Sequence, residues 1–268
     1  MDNRAIGVFD SGLGGLTAVK ELQRLMPEED IVYFGDTSRV PYGSRSRETI
    51  IKYAQQDAAF LKSKQVKMII AACGTVSSVA AEILGQQELP FTGVLRPAAL
   101  AAANATKNGK IGVIGTTATI RSGSYRRELN QIDPSLSVFE QDCPLFVHLV
   151  ENGLVQQDNP ITRLTVQMYL EPLMKEQIDT LILGCTHYPL LYDIFNELLE
   201  YQVTLIDPGR CAAGSVRDLL MKNGQLAQRQ RQGITEYNVT DETESFNRTA
   251  SIFLGEQVKG AVNRIELG

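Results

Sequence analysis

Cys73 and Cys185 each end an apolar segment, and the two segments read as versions of each other. Met68-Ile69-Ile70-Ala71-Ala72 runs into Cys73-Gly74-Thr75, and Thr180-Leu181-Ile182-Leu183-Gly184 runs into Cys185-Thr186-His187, 112 residues later. A second pair keeps step. Ala5-Ile6-Gly7-Val8-Phe9-Asp10-Ser11 and Lys110-Ile111-Gly112-Val113-Ile114-Gly115-Thr116 stand 105 residues apart. A thiolate is a usable base and a thiol a usable acid, because the free pKa of about 8.5 lies near working pH. Two similar lobes, each offering one thiol, can hold those thiols on opposite sides of one substrate. That suits a reaction removing a proton from one face of a carbon and returning it to the other. The competing reading is that a buried cysteine after a strand is an inert small hydrophobe. The repeated context, with a threonine close behind each thiol, weighs against it. Cys143 and Cys211 lack that context and read as structural.

Other residues at strand ends widen the candidate site. Asp10-Ser11-Gly12-Leu13-Gly14-Gly15 leads from a strand into a helix, a turn that exposes backbone N–H groups to an anion. The spacing is not the dinucleotide G-x-G-x-x-G, and Asp10 suits a substrate amine better than a phosphate. A helix cap with a tight turn is the plain alternative. Asp36-Thr37-Ser38-Arg39-Val40-Pro41-Tyr42-Gly43 ends in a turn able to present N–H groups to a carboxylate, or is an ordinary loop. His187 follows Cys185 by two and either assists it, binds a carboxylate, or is a satisfied polar residue. His148, in an apolar stretch, reads as structural. Thr116, Thr117 and Thr119 can hold a carboxylate. Asp207 also falls just past a strand.

These residues need a scaffold that puts strand ends together. Short apolar runs at 5–9, 30–35, 67–72, 91–95, 110–115, 136–140, 180–184, 203–206 and 235–239 predict strands. Helical periodicity marks 15–25, 48–62, 78–86, 161–175 and 191–199. Runs that are apolar throughout suit parallel strands covered on both faces, and the regular alternation predicts α/β architecture. The repeat divides it into two similar three-layer α/β/α lobes, pseudo-twofold related, with mainly parallel sheets. The first takes residues 1–96 plus 208–268 and carries Cys73; the second takes 97–207 and carries Cys185. Ligands in such sheets bind beyond the carboxyl ends of the strands.

Composition narrows the function classes. The 268 residues carry a net charge of −5 with mixed signs, so no basic stripe points to nucleic acid. Arg39, Arg45 and Arg47 cluster only locally, flanked by Asp36 and Glu48, and Arg229-Gln230-Arg231 reads as a solvated loop. No apolar run approaches a membrane span, and no signal-peptide pattern opens the sequence. The expected compartment is the cytoplasm, where thiols stay reduced. The cysteines show no metal-site spacing.

The motifs Phe9-Asp10-Ser11-Gly12-Leu13-Gly14-Gly15-Leu16, Pro41-Tyr42-Gly43, Ala72-Cys73-Gly74-Thr75 and Leu183-Gly184-Cys185-Thr186-His187-Tyr188-Pro189-Leu190 together resemble the glutamate racemases, of the cofactor-independent aspartate/glutamate racemase superfamily. The resemblance covers essentially the whole chain. It implies an active site between two α/β lobes, with Cys73 and Cys185 as the acid/base pair and no pyridoxal phosphate or metal. It implies Asp10, Ser11, Tyr42, Gly43, Gly74, Thr75, Thr186 and His187 as the substrate-binding positions. It also implies glutamate as substrate, D-glutamate feeding peptidoglycan synthesis, and a homodimer. One departure stands out. The family pattern after the first cysteine is Asn-Thr, and here it is Gly74-Thr75. An Asn side chain would be expected to hydrogen-bond the substrate, and losing such a bond costs on the order of 1–3 kcal/mol. Arg96-Pro97-Ala98 departs from the usual small-residue turn.

Overall fold

The continuous apolar runs pair in parallel, as segments covered on both faces do. The computed structural model describes residues 1–86 and 88–267, the side chains of Ser245 and Arg248 aside; residues 87 and 268 of the ranges assigned above lie outside the description. The first sheet contains β1 (Ile6–Asp10), β2 (Ile31–Gly35), β3 (Met68–Ala71) and β4 (Phe91–Gly93). The second contains β5 (Lys110–Gly115), β6 (Ser137–Asp142), β7 (Thr180–Leu183) and β8 (Thr204–Ile206). The chain then returns to the first sheet with β9 (Thr235–Val239) and β10 (Val262–Arg264). The sheet orders are β10-β9-β2-β1-β3-β4 and β6-β5-β7-β8, and every recorded pairing is parallel.

Helices fill the crossovers. They are α1 (Leu16–Leu25), α2 (Arg47–Ser63), α3 (Gly74–Val79), α4 (Ala81–Leu84), α5 (Leu95–Ala105), α6 (Thr117–Ser122) and α7 (Ser124–Ile132). There follow α8 (Leu145–Glu151), α9 (Pro160–Lys175), α10 (Tyr192–Leu198), α11 (Pro208–Lys222) and α12 (Thr243–Leu254). Ser46, Thr116, Asn159 and Asp207 cap α2, α6, α9 and α11 by accepting backbone N–H bonds on their side chains, each satisfying donors that a helix start leaves orphaned. The chain therefore has two α/β lobes with helices on both sides of mainly parallel sheets.

The repeat read from sequence survives in register. β2-β1-β3-β4 and β6-β5-β7-β8 have the same topology. Ile6 pairs with Met68 in the first sheet, and Ile111 pairs with Thr180 in the second. Those residues are separated by the same offsets, 105 and 112, that the sequence segments show. In each lobe the connections run in opposite directions from the central pair of strands. That reversal opens a crevice at the carboxyl ends of β1 and β3, and of β5 and β7. Asp10 is the last residue of β1, and Ser11, Thr116, Cys73 and Cys185 lie just beyond the ends of these four strands.

The structure differs from the sequence expectations in several places. The helix placed at 78–86 begins at Gly74 and breaks at Ala80, whose φ of −120° and ψ of −7° leave the helical region. Small residues from 74 to 78 let that turn enter the core, which a periodicity count does not register. The strand placed at 91–95 stops at Gly93, because Val94 already has helical angles at the start of α5. β10 is an edge strand of three residues, too short for an alternating pattern. Arg229 and Arg231 are not simply solvated, since both pair with Asp30.

One buried ion pair fastens the end of the first sheet remote from the crevice. Lys67 Nζ meets Glu29 Oε2 at 2.6 Å and donates to the carbonyls of Asp2 and Gln225 at 3.0 Å each. Glu29 Oε1 accepts the N–H of Ala227 at 2.8 Å. Removing one partner leaves a buried charge without its counterion. Lys67→Ala is expected to lose about 3–5 kcal/mol of unfolding free energy, read from its urea transition. An unchanged transition would show that the pair contributes nothing.

Candidate active site

Cys73 directly follows the β3 run through Ala72, and its Sγ lies 3.5 Å from Ser11 Oγ at the end of β1. Cys185 follows β7, and its Sγ lies 3.7 Å from Nδ1 of His187. The two cysteines are 5% and 7% exposed. The strand ends meet closely. A Cβ placed on Gly74 would run into the carbonyl oxygen of Gly184 and stand 3.6 Å from Cys185 Cα. Gly14 abuts Thr186 in the same way, and a Cβ on Gly43 would lie 2.7 Å from Thr116 Cβ. Hydroxyls bridge the lobes as well. Thr75 Oγ1 and Thr116 Oγ1 are 3.0 Å apart, and Ser124 Oγ donates to the Ser78 carbonyl at 2.6 Å.

Asp10 is fully buried at the same mouth. Its Oδ2 accepts the Gly12 N–H at 3.0 Å, while Oδ1 has no hydrogen-bond partner among the described residues. Tyr33 Oη donates to the Gly12 carbonyl at 2.8 Å and steadies that turn. Beside Gly43 and Thr117 lies a separate cavity of about 1200 Å³, bordered by Arg45, Arg47, Arg96, Arg121 and Arg127 and by Glu82 and Glu128; neither Cys73 nor Cys185 lines it.

Residues 15–216 match the Asp/Glu/hydantoin racemase family. The chain belongs to that family. A glutamate racemase of Geobacter metallireducens is 42% identical over 265 residues, which are 98% of this chain and 97% of that protein. The crystal structure of glutamate racemase from Francisella tularensis subsp. tularensis SCHU S4 in complex with D-glutamate superposes with a TM-score of 0.93 at 38% identity, covering 100% of this chain and 99% of that one. A glutamate racemase isoform from Bacillus anthracis gives 0.94 at 38% identity with the same coverage.

Within this racemase fold the two thiols have different surroundings. Burial, with the charge of Asp10 adding to it, pushes the Cys73 thiol up to about 12, against the opposing hydrogen bonds of Ser11 and the Val76 N–H. Cys185 instead faces a histidine that is itself held from behind. His187 Nε2 lies 3.1 Å from Glu151 Oε1, and Phe253 meets the imidazole edge-on at 5.3 Å. Burial disfavours charge on His187, but its hydrogen bonds to Cys185 and Glu151 outweigh this and raise the imidazole to about 10. Burial also raises the Asp10 carboxyl, which the charge of His187 opposes.

Asp10, Ser11, Gly43, Gly74, Thr75, Thr116, Thr186 and His187 all meet at this interface. The Pro41-Tyr42-Gly43 turn carries Gly43 to Thr116, while the Tyr42 hydroxyl turns back to Asp36 and Asp57. Asp36 is buried in that cluster, and Asp207 is the α11 cap. His148 is exposed. Cys143 packs in the core with its carbonyl accepting from Tyr188 Oη at 2.8 Å, and Cys211 is half-buried. Sequence reasoning missed Glu151, because its partner lies 36 residues away and a lone Glu at a helix end carries no motif.

A raised histidine contributes stability that is fully present below the ordinary value of 6.5 and lost as pH rises through the folded value of about 10. With only two histidines, NMR titration of the imidazole protons resolves both. The His187 signal is expected to titrate near 10 and to move toward lower pH in Glu151→Gln. A His187 signal titrating near 6.5 in the parent would refute this arrangement.

Proposed function

We propose that the protein interconverts L- and D-glutamate by 1,1-proton transfer between Cys73 and Cys185, without pyridoxal phosphate or metal. The observation that carries the reading is the pair of thiols ending equivalent strands of a repeated unit where the two sets of strand ends approach each other. Curated glutamate racemases of near-equal length support the choice of substrate.

The surroundings suggest the division of labour. Cys73, pushed up by burial, holds its proton and is the acid of the resting form. Cys185, with the His187 imidazolium donating toward it, is the base. The substrate ammonium lies against Asp10 Oδ1, an unsatisfied acceptor. The hydroxyls of Ser11, Thr75, Thr116 and Thr186, with backbone N–H groups of the glycine-rich turns, hold the carboxylates as charge develops on the α-carbon. Such preorganised donors stabilise the transition state more than they could in water. For the opposite enantiomer the two thiols exchange roles. The same reading makes the protein a cytoplasmic homodimer whose D-glutamate is drawn into peptidoglycan.

Gly74 fits this reading through space rather than hydrogen bonding. An Asn side chain there meets the backbone of Gly184, so the lobes must part or the strand ends shift.

Three outcomes test the proposal. Circular dichroism is expected to decay with either enantiomer of glutamate and not with aspartate; a stable signal with glutamate would overturn it. Cys73→Ala and Cys185→Ala are each expected to lose at least about 10²–10⁴-fold in racemisation. In deuterium oxide each should still exchange the α-hydrogen of one enantiomer, and not the same one. Exchange of both enantiomers by either variant would mean a single base. Gly74→Asn is expected to lower kcat/KM roughly 5- to 150-fold, the equivalent of about 1–3 kcal/mol of overpacking; faster turnover would show that the amide matters more than the space.

A further inference from the structure

Behind the Pro41-Tyr42-Gly43 turn, two carboxylates share one phenol. Tyr42 Oη hydrogen-bonds Asp36 Oδ2 and lies 3.0 Å from Asp57 Oδ2. Asp36, Asp57 and Tyr42 are all buried. Arg39 pairs with both acids, through Nε to Asp36 Oδ2 at 2.5 Å and through a terminal nitrogen to Asp57 Oδ1 at 3.3 Å. Its guanidinium also bonds Gln56 Oε1 at 2.6 Å and lies 4.0 Å from the centre of the Tyr53 ring. Thr240 donates to Asp36 Oδ1 at 3.0 Å.

The protons in this cluster can be counted. A phenol has one hydrogen and can donate to only one of two carboxylates. The second carboxylate, if ionised, would face the phenol oxygen with no hydrogen between them. Two carboxylates against one guanidinium would also leave a net negative charge in the interior, which is costly. One additional proton removes both problems. Asp36 has the closer arginine and the threonine donor, so it is the anion. Asp57, on α2, has the longer arginine contact and no threonine. Its burial and the neighbouring charge of Asp36 hold its carboxyl well above the usual range.

We propose that Asp57 is a protonated carboxylic acid that positions the Pro41-Tyr42-Gly43 turn against the second lobe. The Asp57 O–H donates to Tyr42 Oη, Tyr42 donates to Asp36, and Arg39 closes the circuit. Gly43 is thereby held against Thr116, forming one wall of the cleft. Asp57 touches no substrate, so its role is positioning, and its kinetic consequence rests on the glutamate reading above.

The test uses the full chain with Asp57→Asn and Asp57→Leu. The amide of Asn keeps a donor for Tyr42 and an acceptor for Arg39, so parent kinetics are expected. Leu leaves the phenol oxygen without a donor, and KM for glutamate is expected to rise roughly 5- to 150-fold with kcat changed much less. Infrared difference spectra of parent minus Asp57→Asn, at mildly alkaline pH, should show the carbonyl stretch of a protonated carboxylic acid. That band reports the proton whatever the substrate is, so it separates failure of this proposal from failure of the glutamate reading. Its absence, or equal loss of activity in Asn and Leu variants, would overturn the proposal. So would a parent-like KM in Asp57→Leu.

Discussion

The close approach of two backbone segments, Gly74 at the start of α3 and Gly184 at the end of β7, is the constraint on which the rest depends. Each thiol sits just past the carboxyl end of a strand covered on both faces. The two strand ends approach so closely that a Cβ on Gly74 would meet the backbone of Gly184. Glycines at 14, 43 and 74 are needed on the first lobe because the second lobe's Thr186, Thr116 and Gly184 occupy the space where side chains would go. The narrowness of the cleft is therefore written in what these positions lack.

Backbone symmetry and electrostatic asymmetry coexist here. The lobes share strand order and register, yet Asp10 stands beside Cys73 while the Glu151–His187 pair stands behind Cys185. A repeated fold supplies two equivalent mounts for a thiol. The unrepeated side chains around them give the two thiols different electrostatic surroundings. Other charged contacts lie apart from the thiols, among them the Lys67–Glu29 pair at the opposite end of the first sheet and the Arg229 and Arg231 contacts with Asp30.

The parts legible in the sequence were those encoded locally. Apolar runs such as Met68–Ala71 and Thr180–Leu183 specify buried parallel strands by themselves. The two offsets revealed the repeat because corresponding strands kept their length and polarity. What escaped depended on partners distant in the chain. Glu151 has meaning only once α8 brings it to His187. Asp57 reads as one polar residue in an amphipathic helix until Tyr42 and Arg39 fold over it. The Tyr42 hydroxyl, too, finds its partners only in the fold, at Asp36 and Asp57 behind the turn. Gly74 read as a missing hydrogen-bond donor, whereas the structure surrounds it with backbone.

The seclusion of both sulfurs has a consequence for the catalytic cycle on the proposed reading. Each conversion leaves the proton on the opposite thiol, so the emptied protein remembers which enantiomer it last released. To repeat the same conversion it must first forget, passing a proton between two sulfurs that are almost closed to water. That internal reset is a step in its own right, and turnover with one enantiomer in large excess can be no faster than it.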